Sequence, residues 1–158
     1  KGGRPAWIGD NWDSATTGDA AQEGTTTFPS VVTEMGEDQT TCWAMEERTS
    51  NEGETHHVLV QLNMANKKER ARATIGGDSK VAESVFRAAA EGSASRMWGR
   101  DMGQYATIME RILRRSTGMR AFIRQPGHSL PPGIQAADKA GRRGLREKLK
   151  TWSSWQGG

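Results

Sequence analysis

Cysteine is nearly absent from this sequence. Cys42 is the single one in 158 residues, so neither an intrachain disulfide nor a Cys-based zinc site can close within the chain. That scarcity favours an intracellular, reducing compartment, with an organelle such as the mitochondrion among the expectations. No run of 18 apolar residues occurs, which argues against a membrane-spanning helix. A start at Lys1 rather than Met, with no signal-peptide pattern, reads as a processed form or a fragment. The chain also lacks a Walker A sequence, G-x-G-x-x-G, G-x-S-x-G and H-E-x-x-H, which removes the most legible nucleotide-binding, hydrolase and metalloprotease classes. Hydrophobic residues make up 34% of the chain and Gly numbers 19, so a modest core with much irregular segment is expected.

Acidic residues are missing where bases are densest. The stretch "RILRRSTGMRAFIRQ", residues 111–125, carries five arginines and no acid. Residues 1–63 hold three bases and eleven acids, whereas the remainder holds nineteen bases and eight acids. An asymmetry of this size points to an ionic partner or to neutralisation of one half by the other. Arg111, Arg114 and Arg115 suit the end of a helix, where they complement its dipole, and Glu110 can pair with Arg114. The eleven bases of residues 111–158 face only Asp138 and Glu147, so local pairing leaves most of that charge over.

The pattern along the chain suggests an α+β fold. Residues 1–30 have no period and read as an extended arm, with Trp7 and Trp12 as anchors to a partner. From 31 to 75 the apolar residues alternate, as in "TTCWAMEE", "HVLVQLNM" and "RARATI", which predicts an antiparallel meander of three to four strands. "RTSNEGET" then reads as a hairpin loop. Two to three helices follow. Asp78 or Ser79 caps the first, which buries Val81, Ala82, Val85, Phe86 and Ala89 and stops at Gly92. Trp98, Met102, Tyr105, Met109 and Ile112, spaced 4, 3, 4, 3, form the seam of the second, expected to pack on Val58, Val60 and Leu62. "MRAFIR" suits a short strand, and a last helix spans about Gln135–Trp152, weakened by Gly141 and Gly144. The organisation is thus an arm over 1–30, an α+β core over 31–118, and a basic extension over 119–158 that carries a helix and ends in "WSSWQGG".

Residues that could carry chemistry read mostly as structure. In "GGDS", Asp78 is expected to cap a helix and so to occupy amides that an anion would need. His56 and His57, adjacent on a strand, would face opposite sides, and His128 lies in a Pro/Gly loop, so no metal site is expected of them. Cys42 reads as a small core residue. Glu34, Glu37, Asp38, Glu46 and Glu47 read as a solvated acidic hairpin.

These readings converge on a non-enzymatic structural subunit of a large ribonucleoprotein or organellar assembly, without a cofactor or metal. Its partners would be RNA and other protein subunits. Arg120, Arg124, Arg142, Arg143, Arg146, Lys150 and Trp152 are the candidate RNA contacts, by forked phosphate binding and base stacking. Trp7, Trp12 and Trp155 are the candidate partner anchors. A protein–protein adaptor without nucleic acid, and an enzyme with a site near the acidic hairpin, are the alternatives.

Overall fold

The computed structural model describes residues 8–35, 39–97, 102–125 and 132–147. Strand β1 (Ser14–Glu23) and strand β2 (Thr26–Thr33) form an antiparallel hairpin closed at Glu23↔Thr26, with Gly24 at a positive φ of 62°. Strands β3 (Thr40–Cys42) and β4 (Met45–Glu46) pair with β2. Helix α1 (Ser50–Lys67) crosses the sheet to β5 (Arg72–Gly77), which runs parallel to β1. Helices α2 (Lys80–Ala90) and α3 (Gly103–Arg115) lead to β6 (Met119–Arg124), parallel to β5, and α4 (Pro132–Glu147) follows. The sheet has the order β3-β2-β1-β5-β6, with β4 also on β2.

This is an α+β fold with a mixed sheet, not a purely antiparallel meander. Two corrections to the sequence reading account for the difference. The segment expected as an N-terminal arm contains β1 and most of β2, and β1 is the middle strand. Its residues are small, and Ala15, Thr16, Thr17, Gly18 and Asp19 are all buried. Helices pack on both of its faces: Thr16 meets α1 through Gln61, whereas Ala21 meets α4 at Gly141. A strand lined closely on both sides needs small side chains, so it shows no apolar alternation. Gly141, read from sequence as a weak point, allows that approach, since a Cβ there would lie 3.1 Å from the Phe28 carbonyl.

The second correction concerns "RTSNEGETHHVLVQLNM", expected as loop and strand. It is helix α1, opened by a capping box in which Thr49 Oγ1 accepts from the Glu52 amide and Glu52 Oε1 accepts from the Thr49 amide. Thr55 to Leu62 are all buried, whichever way they point. A helix covered on every side carries no polar stripe to reveal its period. Val58, Leu59 and Leu62 join the main core with Val85, Phe86, Met102, Tyr105, Met109 and Ile112. Val60 joins a second cluster with Val31 and Trp43. The α3 seam is therefore buried as expected, against a helix rather than a strand, while Trp98 lies outside the described residues.

Helix α2 matches its expected span, but Ser79 is the cap, accepting from the Ala82 amide through its hydroxyl. Asp78 is left free of that task. Ile112 is fully buried, so Ile112→Ala should destabilise by about 2–5 kcal/mol. Met119→Ala, at an exposed edge position, should stay within about 0.5 kcal/mol, and denaturant melts of the two variants check the contrast.

Candidate active site

Parallel pairing of β1 with β5 ends at Thr17↔Gly76. Two residues further along the strands come Asp19 and Asp78, at the same level of the sheet. Glu54 enters from the first turns of α1. One carboxylate oxygen from each of Asp19, Glu54 and Asp78 lies within 4.8 Å of the other two. Three acids from three distant segments thus meet at one end of the sheet. A buried glycine precedes each of them: Gly18, Gly53 and Gly77.

Burial raises the Asp19 carboxyl from 3.8 to about 7, with Glu54 and Asp78 adding repulsion. Burial likewise raises Glu54 from 4.5 to about 8, with Asp78 adding to the effect. Such groups are held close against their own charge. A hard divalent cation, which takes carboxylate oxygens, would relieve both burdens. Ser30, the cross-strand partner of Asp19, donates to the Ala137 carbonyl at 2.6 Å. Asp138 is next in α4 and accepts from Arg142 Nε at 2.9 Å.

A buried network supports Glu54. His57 Nε2 lies 3.3 Å from Glu54 Oε1, and His57 Nδ1 lies 3.0 Å from Gln61 Nε2. Burial lowers His57 from 6.5 to about 4 and His56 to about 3, and Trp43 Nε1 donates to His56 Nδ1 at 3.2 Å. The adjacent histidines lie on a helix, not on opposite faces of a strand.

None of the described sequence-predicted residues belongs to the acid cluster itself. Arg120 donates to the Arg70 and Met119 carbonyls and to Asn66, and Arg124 pairs with Glu83 at 3.4 Å. Arg142, Arg143 and Arg146 are exposed on α4. Arg114 pairs with Glu110, as expected. Trp12 is half-buried. Trp7, Lys150, Trp152 and Trp155 lie outside the described residues, as do His128, Glu37 and Asp38. Glu46 and Glu47 are exposed and take no part in the acid cluster. Cys42 is half-buried, its thiol pushed up to about 11 by burial, so little thiolate forms near neutrality. Among the described residues, no helix is long and apolar enough to cross a membrane.

No sequence-family model and no curated protein sequence matches this chain. Solved structures do. RNase H1 from the halophilic archaeon Halobacterium salinarum is similar at a TM-score of 0.64 and 15% identity, over 85% of this chain and 98% of that one. A foamy viral protease-reverse transcriptase in complex with dsDNA gives 0.60 and 15%, over 84% and 91%. The fold is RNase H-like. That fold and the Asp19–Glu54–Asp78 cluster overturn the expectation of a non-enzymatic structural subunit of a ribonucleoprotein.

Opposed pKa shifts set a pH dependence for stability. Asp19 and Glu54 have folded values above their ordinary ones, so their contribution is present at low pH and lost as pH rises through about 7 and about 8. His57 and His56 have folded values below theirs, so their contribution is present above 6.5 and lost as pH falls toward about 4 and about 3 respectively. The carboxylates lose their contribution from 3.8 and 4.5 upward, and the histidines offset that loss below 6.5, so the melting temperature should fall as pH rises from about 6.5 to about 8. In Asp19→Asn/Glu54→Gln that fall should vanish, leaving a decline below pH 6.5. A level alkaline limb in the unmodified protein would contradict the close burial of the carboxylates.

Proposed function

We propose that this protein is a divalent-cation-dependent nuclease that hydrolyses RNA phosphodiester bonds in an RNA–DNA hybrid. The observation that carries the reading is the convergence of Asp19, Glu54 and Asp78 within 4.8 Å, on an RNase H-like fold. The donor set suits Mg²⁺ or Mn²⁺: oxygen only, multiply anionic when ionised, and partly buried. When bound, such a cation polarises a phosphoryl oxygen and lowers the pKa of its water.

The chain's own residues supply the rest. Asp19, Glu54 and Asp78 hold the cation. Burial of these acids keeps their field concentrated instead of screened by water. A cluster of bare carboxylates would repel a phosphate backbone, so binding needs cations elsewhere. Arg142, Arg143 and Arg146 on α4, close in sequence to Asp138, are the residues we assign to the backbone. Lys150 and Trp152 would extend that contact. Arg120, which donates to three protein acceptors, and Arg124, paired with Glu83, are less exposed than Arg142, which pairs with Asp138 at the surface, and contribute less. RNA is retained as the partner from the sequence reading, but as substrate.

Three measurements test the reading. Cleavage of a labelled hybrid should require Mg²⁺ or Mn²⁺, and Asp78→Asn should lose more than the roughly 10–100-fold typical of changes outside the ligand set. Hybrid left intact at every cation concentration would contradict it. Cation binding at pH 7 should also release protons, because Asp19 at about 7 and Glu54 at about 8 must ionise to ligate. Calorimetry in two buffers of different ionisation enthalpy reads that release directly. For Arg142→Ala/Arg143→Ala, KM should rise and its salt dependence weaken, by about 0.9 log per log for every phosphate that is no longer neutralised, with kcat little changed.

A further inference from the structure

The hydrogen bonds around Gln61 fix more than a helix position. Gly76 uses both of its backbone polar groups on this side chain: its carbonyl accepts from Gln61 Nε2 at 3.0 Å, and its amide donates to Gln61 Oε1 at 3.3 Å. Turning the amide over would set donor against donor and acceptor against acceptor, so its orientation is determined. Thr16 Oγ1 also donates to Oε1, at 2.6 Å. One of the two Nε2 hydrogens goes to Gly76, and the other points to His57 Nδ1 at 3.0 Å. Nδ1 must therefore accept. The ring proton sits on Nε2, the nitrogen 3.3 Å from Glu54 Oε1.

The ring is also given a fitted place. Its side chain is fully buried. A Cβ at Gly18 would overlap the ring, coming within 2.6 Å of Cγ, and one at Gly77 would stand 3.0 Å from Cε1. These are the residues directly before Asp19 and Asp78. The ring thus touches all three segments that bear the acids, and its one N–H is aimed at the third acid.

We propose that His57 is a positioning residue of the nuclease site: a neutral imidazole, locked as the Nε2–H tautomer by Gln61, that donates to one oxygen of Glu54 and leaves the other for the cation. The proposal rests on the functional reading above. As a neutral donor, the ring orients Glu54 without adding a positive charge that would compete with the cation.

The test uses the full chain, Mn²⁺ as the probe, and two variants of similar polarity. In wild type, long-range ¹H–¹⁵N correlation spectra should show His57 with a protonated Nε2 and a bare Nδ1. A ring protonated on Nδ1, or on both nitrogens, overturns the proposal and leaves the nuclease reading intact. His57→Gln can place an amide donor where Nε2 was, whereas His57→Asn is too short to reach Glu54. Mn²⁺ affinity by calorimetry should drop about 10–100-fold in His57→Asn and recover to within about threefold of wild type in His57→Gln. Equal affinities in the two variants, with melting temperatures lowered alike, would reduce His57 to a packing residue. Absence of Mn²⁺ binding in wild type would overturn the nuclease reading and this proposal with it.

Discussion

Gln61 holds the molecule in register. Its amide closes on both backbone groups of Gly76 and on the Thr16 hydroxyl, so one side chain ties α1 to β5 and β1 together. All of its polar atoms find partners, which lets a fully buried amide stabilise a unique docking of helix on sheet. Glu54, His57 and Gln61 are spaced i, i+3 and i+7 and share one stripe of α1. Fixing Gln61 therefore fixes where Glu54 emerges. A shift of α1 by one residue would break the clamp and carry Glu54 away from Asp19 and Asp78.

The acid cluster stands in tension with that order. Three carboxylates share a partly buried site, and both Asp19 and Glu54 hold protons more tightly there than in water. Nothing in folding asks for this arrangement, since neutral residues of the same size would avoid the repulsion. Buried networks that cost stability in this way are expected where function needs them. The charge asymmetry has a matching form. Asp19 and Glu54 belong to the acidic first 63 residues, whereas the exposed arginines of α4 belong to the basic remainder. Of the arginines that look unneutralised in sequence, Arg114, Arg124 and Arg142 have acidic partners in the fold.

The second half of the fold is legible in the sequence, and the first half is not. The period of α2 and the seam of α3 are readable because each helix presents one face to the core and one to water. Strand β1 and helix α1 are enclosed on both sides or all round, so neither shows the contrast on which periodicity depends. Two local signals are nevertheless present. Thr49 and Glu52 form an S/T-x-x-E capping box just before an apolar run, and it marks a helix start that alternation in "HVLVQLNM" obscures. Asp78 and Ser79 could each cap α2, and only the structure shows Ser79 in that role. The acids themselves follow glycines at Gly18, Gly53 and Gly77, but so do Asp10 and Glu37, so that pattern alone does not single out the site. Asp19, Glu54 and Asp78 lie 35 and 24 residues apart in the chain, and parallel pairing of β1 with β5 brings them together.

On the proposed reading, the junction of β1, α1 and β5 is a cation site. Crystals of the protein soaked in Mn²⁺ and measured at an anomalous wavelength test it most directly. An anomalous peak is expected, bounded by the carboxylates of Asp19, Glu54 and Asp78, at ligand distances of about 2.0–2.6 Å. An empty junction at saturating Mn²⁺, or a peak confined to exposed acids such as Glu46 and Glu47, would contradict it.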